Sequence, residues 1–332
     1  MVQGRRSVMT MLSRFRKRNV EIRPMRTSDI GEIRRVGQEA WSDMISRDFG
    51  RNIKYPVRPR KIIEAYMWKE PNGCLVAEDG EGIIAAAFSH VWGQVGWVGP
   101  IEVQPSYQDK GVGKDILRAC EDHIYGRGCK IIGLETMPHI LKNLHFYLSC
   151  EYVPSRITLI CEKPLRVSEK VSVQNGVREV EKGELEDLLP RVRSMSRQVN
   201  PLLDYSIEFK AVFAKGLGQV FVLEREGKME GAAILHSFNR SGDCNFSSIK
   251  ILLVDERVKD PVHDFLSLLR ASEERSIELG KRRMYVRFSA QSKRLYNHLM
   301  GSGYRLAGSN LRVIKDGDYG EGQEFHISSW AG

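Results

Sequence analysis

Between Gln108 and Lys114 the chain reads QDKGVGK, two glycines one residue apart with Lys110 and Lys114 on either side. Glycine puts no side chain over the backbone and admits left-handed dihedral angles. Gly111 and Gly113 therefore allow the successive amides of Asp109, Lys110, Gly111, Val112 and Gly113 to turn toward one anion. Downstream, Ile116, Leu117, Cys120 and Ile124 recur at helical spacing until Gly126 and Gly128 stop the pattern. The turn thus sits at a helix N-terminus, where the dipole also favours negative charge. The chemistry is phosphate binding. A Walker A loop requires glycine where Gln108 stands and Ser or Thr where Asp115 stands, and a dinucleotide fingerprint requires a third glycine in place of Ile116. Neither motif fits.

The elements that must hold this turn come in a defined order. A strand runs to Val103 and through Pro105 into the loop, the helix follows, then a strand, KIIGLE, ending at Glu135, then a helix containing Tyr147. That order occurs twice. CLVAEDGEGIIAAAFSH (74–90) matches FVLEREGKMEGAAILH (221–236), and each reads as a β-hairpin. Glu78 corresponds to Glu224, Ala86 to Ala232, Ala87 to Ala233 and His90 to His236. Val103 corresponds to Val254, Leu134 to Val286 and Tyr152 to Tyr304. The offset grows between the hairpin and Val254 within the polar turn NRSGDCN, where insertions are cheap. Thr27 to Ile30, with Thr, Ser and Asp as caps, starts the first helix. The fold class is α+β: two copies, each a mixed, mostly antiparallel sheet flanked by helices. The expected division is a basic flexible tail 1–20, a first domain 21–165, a linker 166–175, a second domain 176–315 and a solvated acidic tail 316–332. The repeated histidines His90 and His236 read as structural residues.

The pattern Q-x-x-G-x-G from Gln108 to Gly113, after a strand with V-x-P and before strand, helix and tyrosine, resembles the acetyl-CoA pyrophosphate loop of the GNAT acetyltransferase superfamily. The resemblance covers about 21–165. It implies two neighbouring strands that splay apart, with backbone groups near Ile101 to Val103 pairing with the pantetheine arm of acetyl-CoA and Gln108, Asp109, Lys110, Gly111, Val112, Gly113 and Lys114 holding the pyrophosphate. Glu135 and Tyr147 resemble the Glu and Tyr of GNAT enzymes that acetylate protein N-termini. On that likeness Glu135 deprotonates the acceptor amine, directly or through water, and Tyr147 protonates the CoA thiolate. Glu102 is a second candidate base. Glu151 departs from the family pattern, which has glycine before the aromatic at Tyr152, and Asp115 adds a negative charge beside the loop.

The second copy serves as a control. Its counterparts of Gln108, Gly111, Gly113, Glu135 and Tyr147 are Lys259, Val262, Asp264, Arg287 and Leu299. A β-branched valine and an aspartate close an anion site and repel phosphate. The fold elements persist while the chemical ones are gone. A chain ending near Leu165 is accordingly expected to keep acetyl-CoA affinity if it folds, and one starting near Val171 to have none.

Composition narrows the alternatives. The 332 residues suit two domains, and 42% hydrophobic with 28% charged residues excludes wholesale disorder. The longest apolar stretch, Ile83 to Phe88, falls far short of the ~20 residues that cross a bilayer. Six of the nine excess positive charges (Arg5, Arg6, Arg14, Arg16, Lys17 and Arg18) lie in residues 1–20, which contain no acid. A nucleic-acid surface needs its basic groups on a folded face, so nucleic acid is not the expected partner. Cys74, Cys120, Cys129, Cys150, Cys161 and Cys244 show no metal-ligand spacing and read as reduced thiols of a cytoplasmic protein. The functional expectation is an acetyl-CoA-dependent N-acetyltransferase acting by direct attack on a primary amine, of a small molecule or a protein N-terminus or lysine. The alternative is a non-catalytic acyl-CoA-binding regulatory or scaffold protein.

Overall fold

The computed structural model describes residues 20–166, 176–237 and 245–330. The expectations for the basic tail, for most of the linker and for Cys244 lie outside these residues. The first copy contributes β1 (Glu21–Pro24), α1 (Ile30–Phe49), α2 (Arg60–Lys69), β2 (Cys74–Asp79), β3 (Gly82–Trp92), β4 (Val95–Val103), α3 (Val112–Gly126), β5 (Ile131–Thr136), α4 (Leu141–Leu148) and β6 (Val153–Pro164). The second contributes β7 (Val177–Glu179), α5 (Leu185–Val199), α6 (Ser206–Lys215), β8 (Gly218–Arg225), β9 (Lys228–His236), β10 (Phe246–Val254), α7 (Pro261–Glu278), β11 (Arg283–Ser289), α8 (Lys293–Gly301), β12 (Arg305–Asp316) and β13 (His326–Ser328). This is the α+β class. Central strand β3 is buried along nearly its whole length, because α1 and α2 cover one face and α3 the other. Its run of Ala85, Ala86 and Ala87 suits a strand covered on both sides.

The strands form one sheet in the order β1-β2-β3-β4-β5-β12-β6-β11-β10-β9-β8-β7, with β13 beside β10. The order is a palindrome of the two copies, and its centre is an exchange. The last strand of the second copy, β12, lies between β5 and β6 of the first, pairing Val313 with Leu134 and Asn310 with Thr158. Reciprocally, β6 lies against β11, pairing Cys161 with Val286. Side chains repeat the exchange on both sides. Tyr152 donates to Glu121 at 2.9 Å and Lys315 donates to the same carboxylate at 2.9 Å; Tyr304 and Lys163 do likewise with Glu273, each at 2.8 Å. Each helix glutamate therefore holds its own copy's tyrosine and the other copy's lysine. The expectation of two self-contained domains split near 166–175 is corrected: neither stretch closes its sheet alone.

A buried charged cluster lies where the exchanged strand crosses. Arg312 of β12 is 1% exposed, and its Nε donates to Glu135 Oε1 at 3.1 Å and to Thr158 Oγ1 at 3.0 Å. Its Nη1 donates to Glu321 Oε1 at 2.6 Å, and its guanidinium lies over the rings of Tyr319 and Trp330. The expected solvated tail is thus corrected as well. Residues 316–330 carry Tyr319, Phe325, Ile327 and Trp330 into the core, with Glu321 neutralising Arg312. An acidic run reads as solvated until it has a buried cation to meet. His90 is buried, donates from Nε2 to Gly99 O over 2.8 Å and stacks on Trp92; His236 pairs in register with Ser248 and Gly218 at the end of β9.

Two predictions follow from the exchange. Residues 1–165 expressed alone should fail to fold, whereas co-expression with 166–332 should yield a folded complex; a cooperative melt from the isolated first stretch would contradict this. The second concerns His326, which burial holds down to about 4 against an ordinary 6.5, even though Glu321 pulls it up. Unfolded His326 takes up its proton near pH 6.5 and the folded residue only near pH 4, so stability falls as pH drops through that window. Thermal melts should show a loss of about 2 kcal/mol from this group between pH 7 and pH 5. His326→Gln should remove that part of the slope.

Candidate active site

The glycine turn lies where the sequence puts it. A short 3₁₀ turn at Pro105–Tyr107 leads from β4 into Gln108, and α3 begins at Val112. Asp109 has φ +60° and Gly111 φ +89°, so the chain turns through left-handed space twice within three residues. Among the described residues, the amides of Asp109, Lys110, Gly111, Val112 and Gly113 have no protein acceptor; the first amides of the helix to be satisfied are those of Lys114 and Asp115, both on Gly111 O. No side chain caps the helix. Five adjacent unpaired N–H groups at a helix N-terminus form a ready anion site. A Cβ on Gly111 would meet nothing within 4 Å, but at that φ any side chain strains the turn.

The turn opens into a cavity of about 480 Å³. Ala40, Trp41, Met44 and Arg47 of α1 form one wall, Ile101, Glu102 and Val103 of β4 the floor, and Phe146 and Tyr147 of α4 the opposite wall. Gln108, Asp109, Gly111, Gly113 and Lys114 line it. Lys110 does not: its ammonium donates to Ser106 O and lies over the Tyr107 ring. Val112 packs into the core beneath α3 and contributes only its amide. A cation that sequence reasoning missed takes a place at the turn. Lys142 in the first turn of α4 donates to Gln108 Oε1 at 3.0 Å and Asp109 Oδ2 at 2.9 Å. An exposed lysine on a short helix carries no signal of this in sequence.

The floor is open because β4 and β5 part. They pair in parallel only from Val95 with Ile131 to Trp97 with Gly133. Beyond that point, Ile101 to Val103 has β3 on one side and no β5 partner on the other. The second copy parts in the same way, between β10 and β11. There, however, β13 enters the gap and pairs His326 to Ser328 with Leu253 to Ile251, the repeat counterparts of Pro100 to Glu102. Its helix α7 is also closed at the N-terminus: Pro261 has no amide to offer, and Asp260 caps His263 N at 3.0 Å. Asp264, the counterpart of Gly113, is buried against Arg225. The chain's own C-terminus fills the second cleft.

Tyr147 lines the cavity, and no hydrogen bond of its hydroxyl to the described protein is formed, although its ring packs edge-on against Phe146 and Tyr152. Burial pushes its phenol well above the ordinary value, with the nearby Cys150 adding to the effect. The expectation for Glu135 is corrected. Its side chain is fully buried, accepts from Thr158 at 2.7 Å, Asn310 at 3.1 Å and Arg312 at 3.1 Å, and does not line the cavity. Thr158, Asn310 and Arg312 sit on β6 and the exchanged β12, partners that nothing in the local motif announces. The cavity's carboxylate is Glu102, which accepts from Arg58 Nη1 and Nη2 at 2.9 and 2.8 Å and from Trp41 Nε1 at 2.8 Å. Glu151 takes φ +69°, the conformation for which the family uses glycine, and its counterpart in the second copy is Gly303 at φ +88°.

A bare helix N-terminus beside a split in the sheet, with Tyr147 in the same cavity, is an arrangement with room for a phosphate-bearing ligand. Residues 38–152, within the first copy, match the model of the acetyltransferase (GNAT) family. No curated protein sequence matches the chain. Among solved structures, a provisionally assigned acetyltransferase from Pyrococcus horikoshii is similar at TM-score 0.68 and 18% identity, over 94% of this chain and 95% of that one. A tandem GNAT protein from the clavulanic acid biosynthesis pathway is similar at TM-score 0.59 and 12% identity, over 91% and 100%. Saccharomyces cerevisiae N-myristoyltransferase is similar at TM-score 0.63 and 7% identity, over 91% and 80%. Identities this low show a shared fold. Among the described residues no helix is long and apolar enough to cross a membrane, and no group of three or more His, Cys, Asp or Glu is placed to hold a metal ion.

Replacing Gly111 by valine should weaken coenzyme A binding by about tenfold or more, since a left-handed position costs a side chain roughly 1–2 kcal/mol. Titration calorimetry reads this directly, and unchanged affinity would remove the turn from the site.

Proposed function

We propose that the protein is an acetyl-CoA-dependent N-acetyltransferase whose single active site lies in the first copy, acting on a primary amine by direct attack. The observation that carries this reading is the row of five unpaired amides from Asp109 to Gly113, opening into a cavity that also holds Tyr147. These residues fit a CoA diphosphate: the amides donate to it, and Lys114 and Lys142 supply positive charge. Ile101 and Val103 offer main-chain groups along the unpaired edge of β4 to the pantetheine amides. When bound, acetyl-CoA supplies a thioester, whose acyl carbon is the electrophile.

The chain's own residues do the rest. Tyr147 holds a proton on its hydroxyl at all neutral pH values and delivers it to the departing group. Neither Glu135 nor Glu102 presents an unengaged carboxylate, so the acceptor enters as its free amine or loses its proton to water in the cavity. An alkylamine titrates near ~10, and its free-base fraction sets the acid limb of the rate profile.

The same observation favours a second reading. A cavity whose carboxylates, Glu102 and Asp109, are both paired with cations suits a protein that binds acyl-CoA without transferring it, as a regulatory or scaffold component. Thiol release from acetyl-CoA, measured across a panel of amines and peptides, separates the two. Turnover is expected, and Tyr147→Phe should reduce it by about a hundredfold; tight coenzyme A binding with no turnover on any amine would favour the second.

A further inference from the structure

Residues 50–59 join α1 to α2 without regular structure, yet they are held firmly against α1, the helix that forms one wall of the cavity. Tyr55 N donates to Ser42 Oγ at 2.9 Å, Gln38 Nε2 to Tyr55 O at 2.7 Å, and Arg34 Nε to Arg58 O at 2.8 Å. The Trp41 and Tyr55 rings stack at 5.1 Å. These four holds all run back to α1. A fifth runs elsewhere: Arg58 grips Glu102 with both terminal nitrogens, while Trp41 donates to the same carboxylate. Glu102 is 2% exposed and lies on β4 between Ile101 and Val103. The approach is close enough to require glycine at position 37, where a Cβ would stand 2.7 Å from Glu102 Oε2.

We propose that Glu102 is a positioning residue that fastens the segment 50–59, behind the α1 wall of the cavity, to the strand whose edge takes the acyl donor. A two-toothed arginine–carboxylate pair restricts orientation as well as distance. A buried pair that loses one partner leaves an uncompensated charge, which costs far more than the pair contributes. Restraint placed on Ile101 to Val103 by a bound donor therefore passes through Glu102 to Arg58, which is itself part of the segment. The donor thereby stiffens the segment 50–59 and, with it, the α1 wall before the acceptor arrives. The donor half of this inference rests on the acyl-CoA reading above; the fastening rests on the geometry alone.

Hydrogen exchange on the full chain, with coenzyme A as the probe, tests both halves. Without ligand, Glu102→Gln should raise amide exchange in 50–59 by about tenfold and leave β3 and α3 unchanged. Saturating coenzyme A should slow exchange in 50–59 of the wild type but not of the variant, each measured at a ligand concentration that saturates that protein. Equal exchange of 50–59 in the two unliganded proteins would overturn the fastening. Equal slowing by coenzyme A in both would overturn the coupling. Failure of the wild type to bind coenzyme A would instead overturn the acyl-CoA reading, leaving the unliganded comparison to decide the fastening. Arg58→Lys, which keeps a charge opposite Glu102 but loses the fork, should loosen 50–59 in the same direction and serves if Glu102→Gln does not fold. With any amine that turns over, Glu102→Gln should raise the acceptor KM by fivefold or more and preserve the pH profile of kcat; loss of the acid limb would make Glu102 the base and overturn the positioning role.

Discussion

The insertion of β12 between β5 and β6 governs the molecule. A sheet that splits between β4 and β5 to admit a ligand must keep β5 in place from its other side, and here that side is supplied by the second copy. Arg312 adds to the pairing by meeting Glu135, Thr158 and Glu321 at one point in the interior. Arginine forms such a hub because its planar fork serves several acceptors at once. Burying it is tolerable because Glu135 and Glu321 neutralise it and the aromatic faces of Tyr319 and Trp330 cover it. A residue that resembles a catalytic base is thereby a structural counter-ion.

The two clefts show how one architecture is opened or shut. In the first, the helix N-terminus is bare, its turn is held by Lys142 from the neighbouring helix, and the strand edge is unpaired. In the second, proline and an aspartate cap satisfy the helix, Asp264 is taken by Arg225, and β13 lies along the strand edge. Each change is small, and each alone would weaken anion or amide binding. Together they convert a ligand site into core, with Phe325 and Ile327 buried where a ligand arm would lie.

Much of this was legible in the sequence. The repeat, the hairpins, the α+β class and the helix behind QDKGVGK all follow from periodicity and turn chemistry, which are local. The paired substitutions Val262 and Asp264 marked the second copy as changed at its phosphate turn. What escaped were long-range consequences. Pairing between β5 and β12 joins residues more than 170 positions apart in sequence, such as Glu135 and Arg312, and no spacing rule connects them. The same holds for Lys315 with Glu121 and Lys163 with Glu273, although once the exchange is known the repeat relates one pair to the other. The run 316–330 misleads because its acidic residues outnumber its aromatics in plain view, whereas Tyr319, Phe325 and Trp330 determine where it goes.

The reciprocal placement of β6 and β12 bears on how such a protein can change over generations. After a gene duplicates, a copy that loses its chemistry is ordinarily free to be deleted. Here deletion would strip the surviving copy of a strand in the middle of its sheet, so the silent half persists as scaffolding. Its ligand-facing positions are released from selection for catalysis, while the positions that clasp its twin stay bound by it. Inheritance of the pair is all or nothing.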